Sequence, residues 1–301
     1  MGHIITDLKE KFRRGNIFIQ LIYINAGIFI VGTIISVFLQ LFNLSAAGLF
    51  DSFALPASLD RFILQPWSLI TYMFMHAGFL HILFNMLWLY WFGSLFLCFF
   101  SGKHLRGLYI LGGICGGLVY MAAYNIFPYF SQAVFNSTLV GASASVLAIV
   151  AATAYREPNY RVQLLLFGTV RLKYLALIVI GTDLLFITSS NAGGHIAHLG
   201  GALAGLWFAS SLSKGHDLTS WINKLLDAIA SLFQRKTWKR KPKMKVHYAE
   251  GKTSRQKDYD YNAQKKAQSD EIDRILDKLK KSGYDSLTTE EKKSLFDASK
   301  R

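Results

Sequence analysis

Long apolar runs alternate with shorter polar segments over the first two thirds of this chain of 301 residues. A run of roughly 20 apolar residues is long enough for a helix to cross the hydrocarbon core of a bilayer. Six such runs lie near residues 17–40, 78–100, 107–127, 138–155, 172–189 and 194–212. The pattern therefore predicts an all-α membrane protein, built as a bundle of six transmembrane helices over residues 17–212.

A long first loop separates the first two apolar runs. Residues 43–71 contain three charged side chains and two prolines, which interrupt any continuous apolar helix. We expect this loop to lie partly in the membrane interface, with Phe53 and Trp67 as anchors, because aromatic side chains are enriched at that depth.

Basic residues occur in alternate connections, which predicts the orientation of the bundle. They precede the first run, separate the second from the third and the fourth from the fifth, and follow the sixth, whereas residues 128–137 and 190–193 carry no charge. Because basic loops stay in the cytoplasm, residues 1–16 and the C-terminus are both expected there. The short loops favour a bacterial inner membrane, with an organelle membrane as the alternative.

Residues 213–268 are predicted to be an amphipathic and basic linker. Apolar side chains recur at helical spacing over 218–233, a basic run follows over 235–245, and residues 246–268 are polar enough to be disordered. A helix on the membrane surface, held by anionic lipid through the basic run, fits this pattern. A helix packed on protein and a solvated linker are the alternatives.

Residues 269–301 are predicted to form a small helical hairpin. Apolar residues between Ile272 and Leu279 share one helical face, and Ser282-Gly283 ends it. The sequence from Thr288 to Glu291 has the pattern of a capping box, which starts a second helix. We expect this hairpin to dock an unknown cytoplasmic partner.

The composition agrees with a membrane protein, since 52% of residues are hydrophobic, 17% are charged and the mean hydropathy is +0.28. The formal net charge of +14 is concentrated outside residues 16–213. Lipids and membrane proteins are therefore the expected partners, and nucleic acid is not. Cys98 and Cys115 both lie in apolar runs without metal-ligand spacing, and we expect them to be buried and unpaired.

Four polar residues interrupt predicted spans close to one membrane face. His81 and Asn85 lie in the first turns of the second span, Ser143 in those of the fourth, and His198 in those of the sixth. All three spans enter from the non-cytoplasmic side, so these groups are expected at a similar depth. Polar groups inside a bilayer are costly, which points to function rather than to helix packing alone.

The pairing of serine with histidine predicts nucleophilic catalysis. Ser143 is a weak nucleophile that needs a base within hydrogen-bond reach, and His198 is suited to that role. No acid lies in the two runs that carry them, which favours a dyad over a triad. His81 and Asn85 are spaced i, i+4 on one helical face, so either could donate to an oxyanion together with the Ser143 backbone N–H.

Small residues are expected to bring the helices of this site close together. Gly141 lies two residues before Ser143, and Gly201 and Gly205 are spaced four apart after His198. Glycines at such spacing allow the backbones of transmembrane helices to approach.

Together these motifs resemble those of the rhomboid family of intramembrane serine proteases. The resemblance rests on Gly141-Ala-Ser143, Ala197-His198-x-x-Gly201-x-x-x-Gly205, His76-x-x-x-x-His81-x-x-x-Asn85 and Pro66-Trp67, and it covers residues 17–212. It implies that Ser143 is the nucleophile, His198 the general base, and His81 and Asn85 the oxyanion stabilisers. It also implies single-span membrane proteins as substrates and the need for no cofactor or metal.

Two positions depart from the family pattern. Many members have arginine after the loop tryptophan, where this chain has Ser68. Some members have tyrosine four residues after the nucleophile to stack on the catalytic histidine, where this chain has Leu147. The support of the histidine is therefore expected to come from another residue.

We expect other polar side chains near the motifs to have structural roles. His195 is expected to be a hydrogen-bonding residue at a loop edge, Ser145 to pack on the far side of its helix, and Asp183 to make a helix-packing hydrogen bond. Zinc and paired-aspartate proteases are excluded because no H-E-x-x-H motif and only one acid occur in the spans. A catalytically inactive rhomboid-like scaffold that binds transmembrane helices is the main alternative, ahead of a metal-binding histidine cluster or a carrier.

Overall fold

The computed structural model describes residues 12, 15–164, 168–233 and 254–299. The basic residues near the N-terminus and the basic run 235–245, both used in predicting membrane contact and orientation, lie outside the described residues. The chain divides into two compact units, Met1–Arg235 and Lys236–Arg301, which are taken one at a time.

The first unit is helical, with two short pairs of strands. Its helices are α1 (Ile17–Leu41), α2 (Ala47–Asp51), α3 (Leu59–Leu64), α4 (Ser68–Thr71), α5 (Phe79–Phe96), α6 (Gly102–Ile126), α7 (Ser143–Arg156), α8 (Leu172–Leu185), α9 (Ala192–Ser213) and α10 (Ser220–Phe233). Its strands are β1 (Leu55–Pro56), β2 (Thr138–Leu139), β3 (Arg161–Leu164) and β4 (Gly168–Arg171). Short 3-10 turns occur at Tyr72–Phe74 and Pro128–Phe130.

Four of the helices in the described part of the chain, α1, α5, α6 and α9, are long and apolar enough to cross a membrane. The chain is therefore a multi-pass helical membrane protein. The predicted spans 138–155 and 172–189 are instead occupied by α7 and α8, which have 14 residues each. At about 1.5 Å per residue such a helix is roughly 21 Å long, shorter than a hydrocarbon core of about 30 Å.

The fourth predicted span starts late because the chain before Ser143 is extended. Strand β2 pairs antiparallel with β1 of the first loop, with Leu139 opposite Leu55 and Thr138 opposite Pro56. The first loop is therefore attached to the segment that leads into α7, and this pairing uses the backbone groups that a longer α7 would need. The same loop is fixed by the Trp67 indole N–H, which donates to the Ser52 carbonyl oxygen at 2.9 Å.

Helix α7 lies at the centre of the unit, with eleven of its fourteen residues buried. Its small side chains allow two neighbours to approach. A Cβ added at Gly201 or Gly205 of α9 would lie 2.1 Å from the carbonyl oxygen of Ala144 or Ala148. One added at Gly112 of α6 would lie 2.4 Å from the Ala148 Cβ. Glycine therefore permits the backbone contacts that hold α6, α7 and α9 together.

Helix α1 is attached to this centre along one narrow side only. Phe18, Leu21 and Asn25 are its buried residues, whereas Ile30 and Ile34 are more than half exposed. The Asn25 amide donates to the Tyr109 hydroxyl on α6 at 3.1 Å. The remaining apolar surface of α1 suits contact with lipid chains.

Helix α10 packs on the first unit, so this unit extends beyond the predicted boundary at residue 212. The Asn223 amide donates to the Lys103 carbonyl oxygen at 3.0 Å, and Arg106 forms an ion pair with Asp227 at 2.8 Å. Trp221 and Leu225 remain more than half exposed. Helix α10 thus packs on protein through one face and exposes apolar side chains on another. This combines features of the predicted membrane-surface helix and of the alternative, a helix packed on protein.

The second unit contains α11 (Ser254–Ser282), a 3-10 turn at Tyr284–Ser286 and α12 (Thr289–Ser299). Residues 254–268 belong to α11, so the predicted disorder is wrong for this part of 246–268, and residues 246–253 lie outside the described residues. Alanine, glutamine, lysine and arginine, which have high helix propensity, are frequent there and explain the helix.

The two helices of the second unit contact each other around a capped turn. Helix α11 ends at Ser282, as predicted. The predicted capping box is present, since the Thr288 N–H donates to Glu291 Oε2 at 2.8 Å and the Glu291 N–H donates to Thr288 Oγ1 at 3.3 Å. Lys278 also donates to the Glu291 carboxylate at 2.8 Å, which lowers the pKa of Glu291.

Candidate active site

Ser143 is the first residue of α7, and the turn before it depends on glycine. Gly141 has a φ of +126°, a backbone conformation that other residues adopt only with strain. Its N–H donates to the Tyr72 carbonyl oxygen at 2.9 Å, which ties the turn to the end of the first loop. A Cβ at Gly141 would also lie 2.7 Å from His81 Nε2. Both the conformation and the space therefore require glycine at this position.

A cavity of about 510 Å³ opens in front of Ser143. Residues of α5, α7, α8 and α9 contribute most of its lining, and about half of the lining residues are apolar. Its polar lining includes Ser143, His198, His81, Asn85 and Asp183. The structure thus places all four residues with predicted roles in the reaction around a single space, together with an acid for which only a packing role was predicted.

Ser143 is half-buried and its hydroxyl has no hydrogen-bond partner among the described residues. It therefore makes no such bond to His198 in this state, although both line the same cavity. Catalytic hydrogen bonds are often long before substrate binds and tighten in the complex. The arrangement leaves the hydroxyl accessible from the cavity.

His198 lies one turn into α9 and is bonded to an acid on α8. Its Nδ1 and the Nδ1 of His195 each lie 2.8 Å from Oδ1 of Asp183. Asp183 is 4% exposed, and the two histidines are half-buried. Asp183 therefore joins α8 to α9 by hydrogen bonds, as predicted, and one of its partners is the predicted base, His198.

His195 makes a hydrogen bond, as predicted, but it lies within a helix rather than at a loop edge. It belongs to the first turn of α9, and its ring lies edge-on to the ring of His198, with centroids 6.1 Å apart. This contact supplies an aromatic neighbour for His198 where Leu147 cannot. Sequence analysis missed the link among Asp183, His195 and His198. Its signal was an intramembrane acid followed by two histidines at i, i+3.

His81 has one ring nitrogen directed at the turn before Ser143. The Ala77 N–H donates to His81 Nδ1 at 3.4 Å, so the proton of a neutral ring lies on Nε2, the atom beside Gly141. Asn85 donates one amide hydrogen to the His81 carbonyl oxygen at 2.9 Å and keeps a second N–H. Both residues can therefore donate toward the cavity.

His76 supports His81 from the end of the first loop. Its ring lies edge-on to that of His81, with centroids 5.2 Å apart. Burial, with His81 as its neighbour, lowers the pKa of His76 to about 4, so its ring is neutral at physiological pH. His76 therefore places no positive charge beside His81.

The remaining predicted residues have structural surroundings. Ser145 is fully buried, and its Oγ lies 3.9 Å from the sulfur of Met73. Cys98 is exposed and Cys115 half-buried, so the prediction that both are buried is wrong for Cys98. It lies just beyond the end of α5 rather than inside the predicted span.

Among the described residues, Asp183, His195 and His198 are the group whose ligand atoms, within 4.8 Å of one another, could hold a metal ion. Their hydrogen bonds to one another already pair the carboxylate with two imidazoles. Of the histidines in the motifs, His195 and His198 belong to this group, whereas His76 and His81 do not.

Comparison with known proteins yields two families and one relative. The model of the Rhomboid domain matches residues 64–215, which include all four predicted reaction residues. A family of unknown function, DUF6576, matches residues 255–301. RHOMBOID-like protein 12, mitochondrial, of Arabidopsis thaliana is 30% identical over 223 residues, 71% of this chain and 62% of that protein. The chain thus spans less than two thirds of this relative's length.

Proposed function

This chain belongs to the rhomboid family, and from that premise we propose that it is an intramembrane serine endopeptidase. It hydrolyses peptide bonds of membrane-anchored proteins near the non-cytoplasmic face. The observation that carries the proposal is the single cavity shared by Ser143, His198, His81 and Asn85, with Ser143 at the start of a helix.

In the proposed reaction, Ser143 Oγ attacks the carbonyl carbon of the scissile bond while His198 Nε2 takes the hydroxyl proton. The C–N bond then breaks as His198 returns that proton to the leaving amine. A water molecule next attacks the acyl-serine, with His198 again as base, and releases the carboxylic acid and free Ser143. Serine and histidine thus act as one unit in both halves of the reaction.

The oxyanion of the tetrahedral intermediate has three candidate donors. The Ser143 N–H is one, because the first N–H groups of a helix have no partner within it. His81 Nε2–H lies beside the Gly141 turn, and Asn85 has a free amide hydrogen. Donors that are fixed before the reaction stabilise the developing charge without reorganisation.

The cavity suits an extended piece of a membrane protein. Phe84 and Leu80 of α5 and Ile178 of α8 line it and are also exposed at the outer surface of the unit. An apolar segment can therefore reach the cavity between α5 and α8 without crossing the bundle. Substrates with small residues and helix-breakers near the cleavage site would extend most readily there.

The proposed placement in the membrane has six crossings with both termini in the cytoplasm. In it α7 and α8 complete their crossings with the adjoining non-helical segments 138–142 and 186–191. The alternation of basic loops supports this orientation. A bacterial inner membrane remains our proposal, with an organelle membrane as the alternative, since the relative's name describes it as mitochondrial.

The decisive experiment treats the purified full-length chain in detergent with a fluorophosphonate probe and with a model single-span substrate. The wild type and Ser145→Ala should label and cleave, because Ser145 Oγ is buried against Met73. Ser143→Ala should do neither. A folded wild type that neither labels nor cleaves would support the inactive scaffold instead.

A further inference from the structure

We propose that Asp183 is a positioning residue for the general base, so that the site operates as a Ser143–His198–Asp183 triad rather than a dyad. His195 is the second donor that holds the same carboxylate in place. The inference rests on the proposed function and concerns how its base is oriented. It changes the prediction that Asp183 serves helix packing alone.

The geometry fixes the tautomer of His198. A carboxylate accepts hydrogen bonds and has none to donate. Asp183 Oδ1 lies 2.8 Å from His198 Nδ1, so the proton of the neutral ring must lie on Nδ1. Nε2 is left with its lone pair, which is the form a base needs. Without the carboxylate the ring could hold its proton on Nε2 and lose this capacity.

The carboxylate also stabilises the charge that appears during the reaction. When Ser143 loses its proton to Nε2, His198 becomes an imidazolium with both nitrogens protonated. Asp183 is 4% exposed, and its contact to Nδ1 is therefore only weakly screened by water. The negative charge stays on Asp183 throughout, and the proton moves only between Ser143, His198 and the leaving group.

A packing role alone does not account for a charged group at this position. A buried carboxylate costs several kcal/mol unless it is paired, and an amide could join two helices at lower cost. The Asn25 amide does this between α1 and α6, where it donates to Tyr109. Oδ2 of Asp183 is buried without a hydrogen-bond partner among the described residues, so one of the two carboxylate oxygens takes no part in joining the helices.

His195 completes the arrangement from the same helix as the base. Its Nδ1 also lies 2.8 Å from Oδ1 of Asp183, and its ring contacts His198 edge-on. Two Nδ1–H donors on one oxygen hold the carboxylate in a single rotamer. His195 therefore acts on His198 through Asp183 and through ring contact, and its loss should cost less than the loss of Asp183.

The first test compares Asp183→Asn with the wild type, using kcat and KM for a model substrate and the rate of fluorophosphonate labelling. We expect kcat and the labelling rate to fall together by about 10²- to 10⁴-fold, the order seen when the acid of a triad is neutralised. KM should change by less than about threefold, since asparagine keeps the size of the side chain and its place in the cavity lining. His195→Leu should lower kcat by about 10-fold.

A matched pair of longer side chains separates charge from packing and guards against a variant that does not fold. Asp183→Glu and Asp183→Gln have the same shape, so they perturb packing equally and differ only in the carboxylate. Glu should retain at least about 10-fold more kcat than Gln. Asn25→Leu removes a buried interhelical bond between two residues that do not line the cavity, so it should change thermal stability and leave the kcat of the folded protein unchanged.

Two outcomes would overturn the inference. One is a folded Asp183→Asn with kcat within about threefold of the wild type. The other is equal activity of Asp183→Glu and Asp183→Gln. In either case, loss of labelling in Ser143→Ala would show that the proposed function stands without the triad. If Ser143→Ala itself cleaves, the proposed function fails first.

Discussion

The two helices that flank the base, α7 and α8, are held in opposite ways. Helix α7 meets α9 backbone to backbone, because Gly201 and Gly205 leave room for the Ala144 and Ala148 carbonyl groups. Helix α8 has the same length, 14 residues, but only Leu172, Ala176 and Asp183 are buried. Helix α7 is therefore held by close backbone packing against the glycines of α9, whereas α8 is attached through three buried side chains.

The two kinds of packing suit two requirements of the proposed site, which are a fixed reacting pair and an entrance for the substrate. Ser143 lies on α7 and His198 on α9, and these two helices are closely packed through Gly201 and Gly205. Helix α8 forms a wall of the cavity through exposed apolar side chains such as Ile178 and reaches His198 through Asp183 alone. The few buried contacts of α8 suit the entry of a substrate, and the close packing of α7 on α9 suits the proposed reacting pair, Ser143 and His198.

The largest effect should come from the reacting pair itself. His198→Ala should reduce cleavage by about 10⁶-fold, as much as Ser143→Ala, because nucleophile and base act as a unit. The double variant should be no worse than either single one. His216→Ala, which replaces an exposed histidine after α9, is the control and should cleave normally. Activity in His198→Ala at more than about a tenth of the wild type would place the base elsewhere.

The next largest loss of activity should come from changing the polar side chains of α5 that line the cavity. His81→Ala should lower kcat by about 10²–10³-fold, the usual cost of one oxyanion donor, with KM little changed. Asn85→Ala should cost less than His81→Ala, because one amide hydrogen of Asn85 is already used on its own helix. Steady-state kinetics on a model substrate measures both, and an unchanged kcat in His81→Ala would remove it from the site.

A pair of glycine variants tests the difference between α7 and α8 directly. Gly201→Ala should lower the free energy of unfolding by about 1–3 kcal/mol or more, because its Cβ would overlap the Ala144 carbonyl oxygen. Gly181→Ala on α8 has open space around its Cβ, and alanine is favoured over glycine in helices by roughly 0.5–1 kcal/mol. It should be neutral or slightly stabilising in detergent. Equal destabilisation by both would contradict the comparison.

The smallest effect should follow removal of the second unit. A chain that ends after residue 235 keeps α10 on α6 and should label and cleave like the full chain, with melting temperature within a few degrees. Ending after residue 213 removes the Asn223 and Asp227 contacts with α6 and should lower the melting temperature further. Membrane localisation measures what the tail adds. An inactive but folded chain ending at 235 would make the tail part of the enzyme.

Much of the site could be predicted because helical geometry is regular. An apolar run fixes the axis, and 1.5 Å per residue then fixes the depth of each polar group along it. This regularity predicts one level for His81, Asn85, Ser143 and His198, which line a single cavity in the structure. The capping box at Thr288 was equally local, since both of its bonds join residues three apart.

The sequence by itself thus determined the four apolar helices that are long enough to cross a membrane, and the motifs that point to the family. Only the tertiary structure decided that α7 starts at Ser143, because that depends on the pairing of Leu55 with Leu139 across the first loop. It also decided that Asp183 reaches His198. Contacts between helices depend on how their faces rotate and how closely they pack. No local rule specifies this, because a rotation of one residue would turn the carboxylate from the base toward lipid.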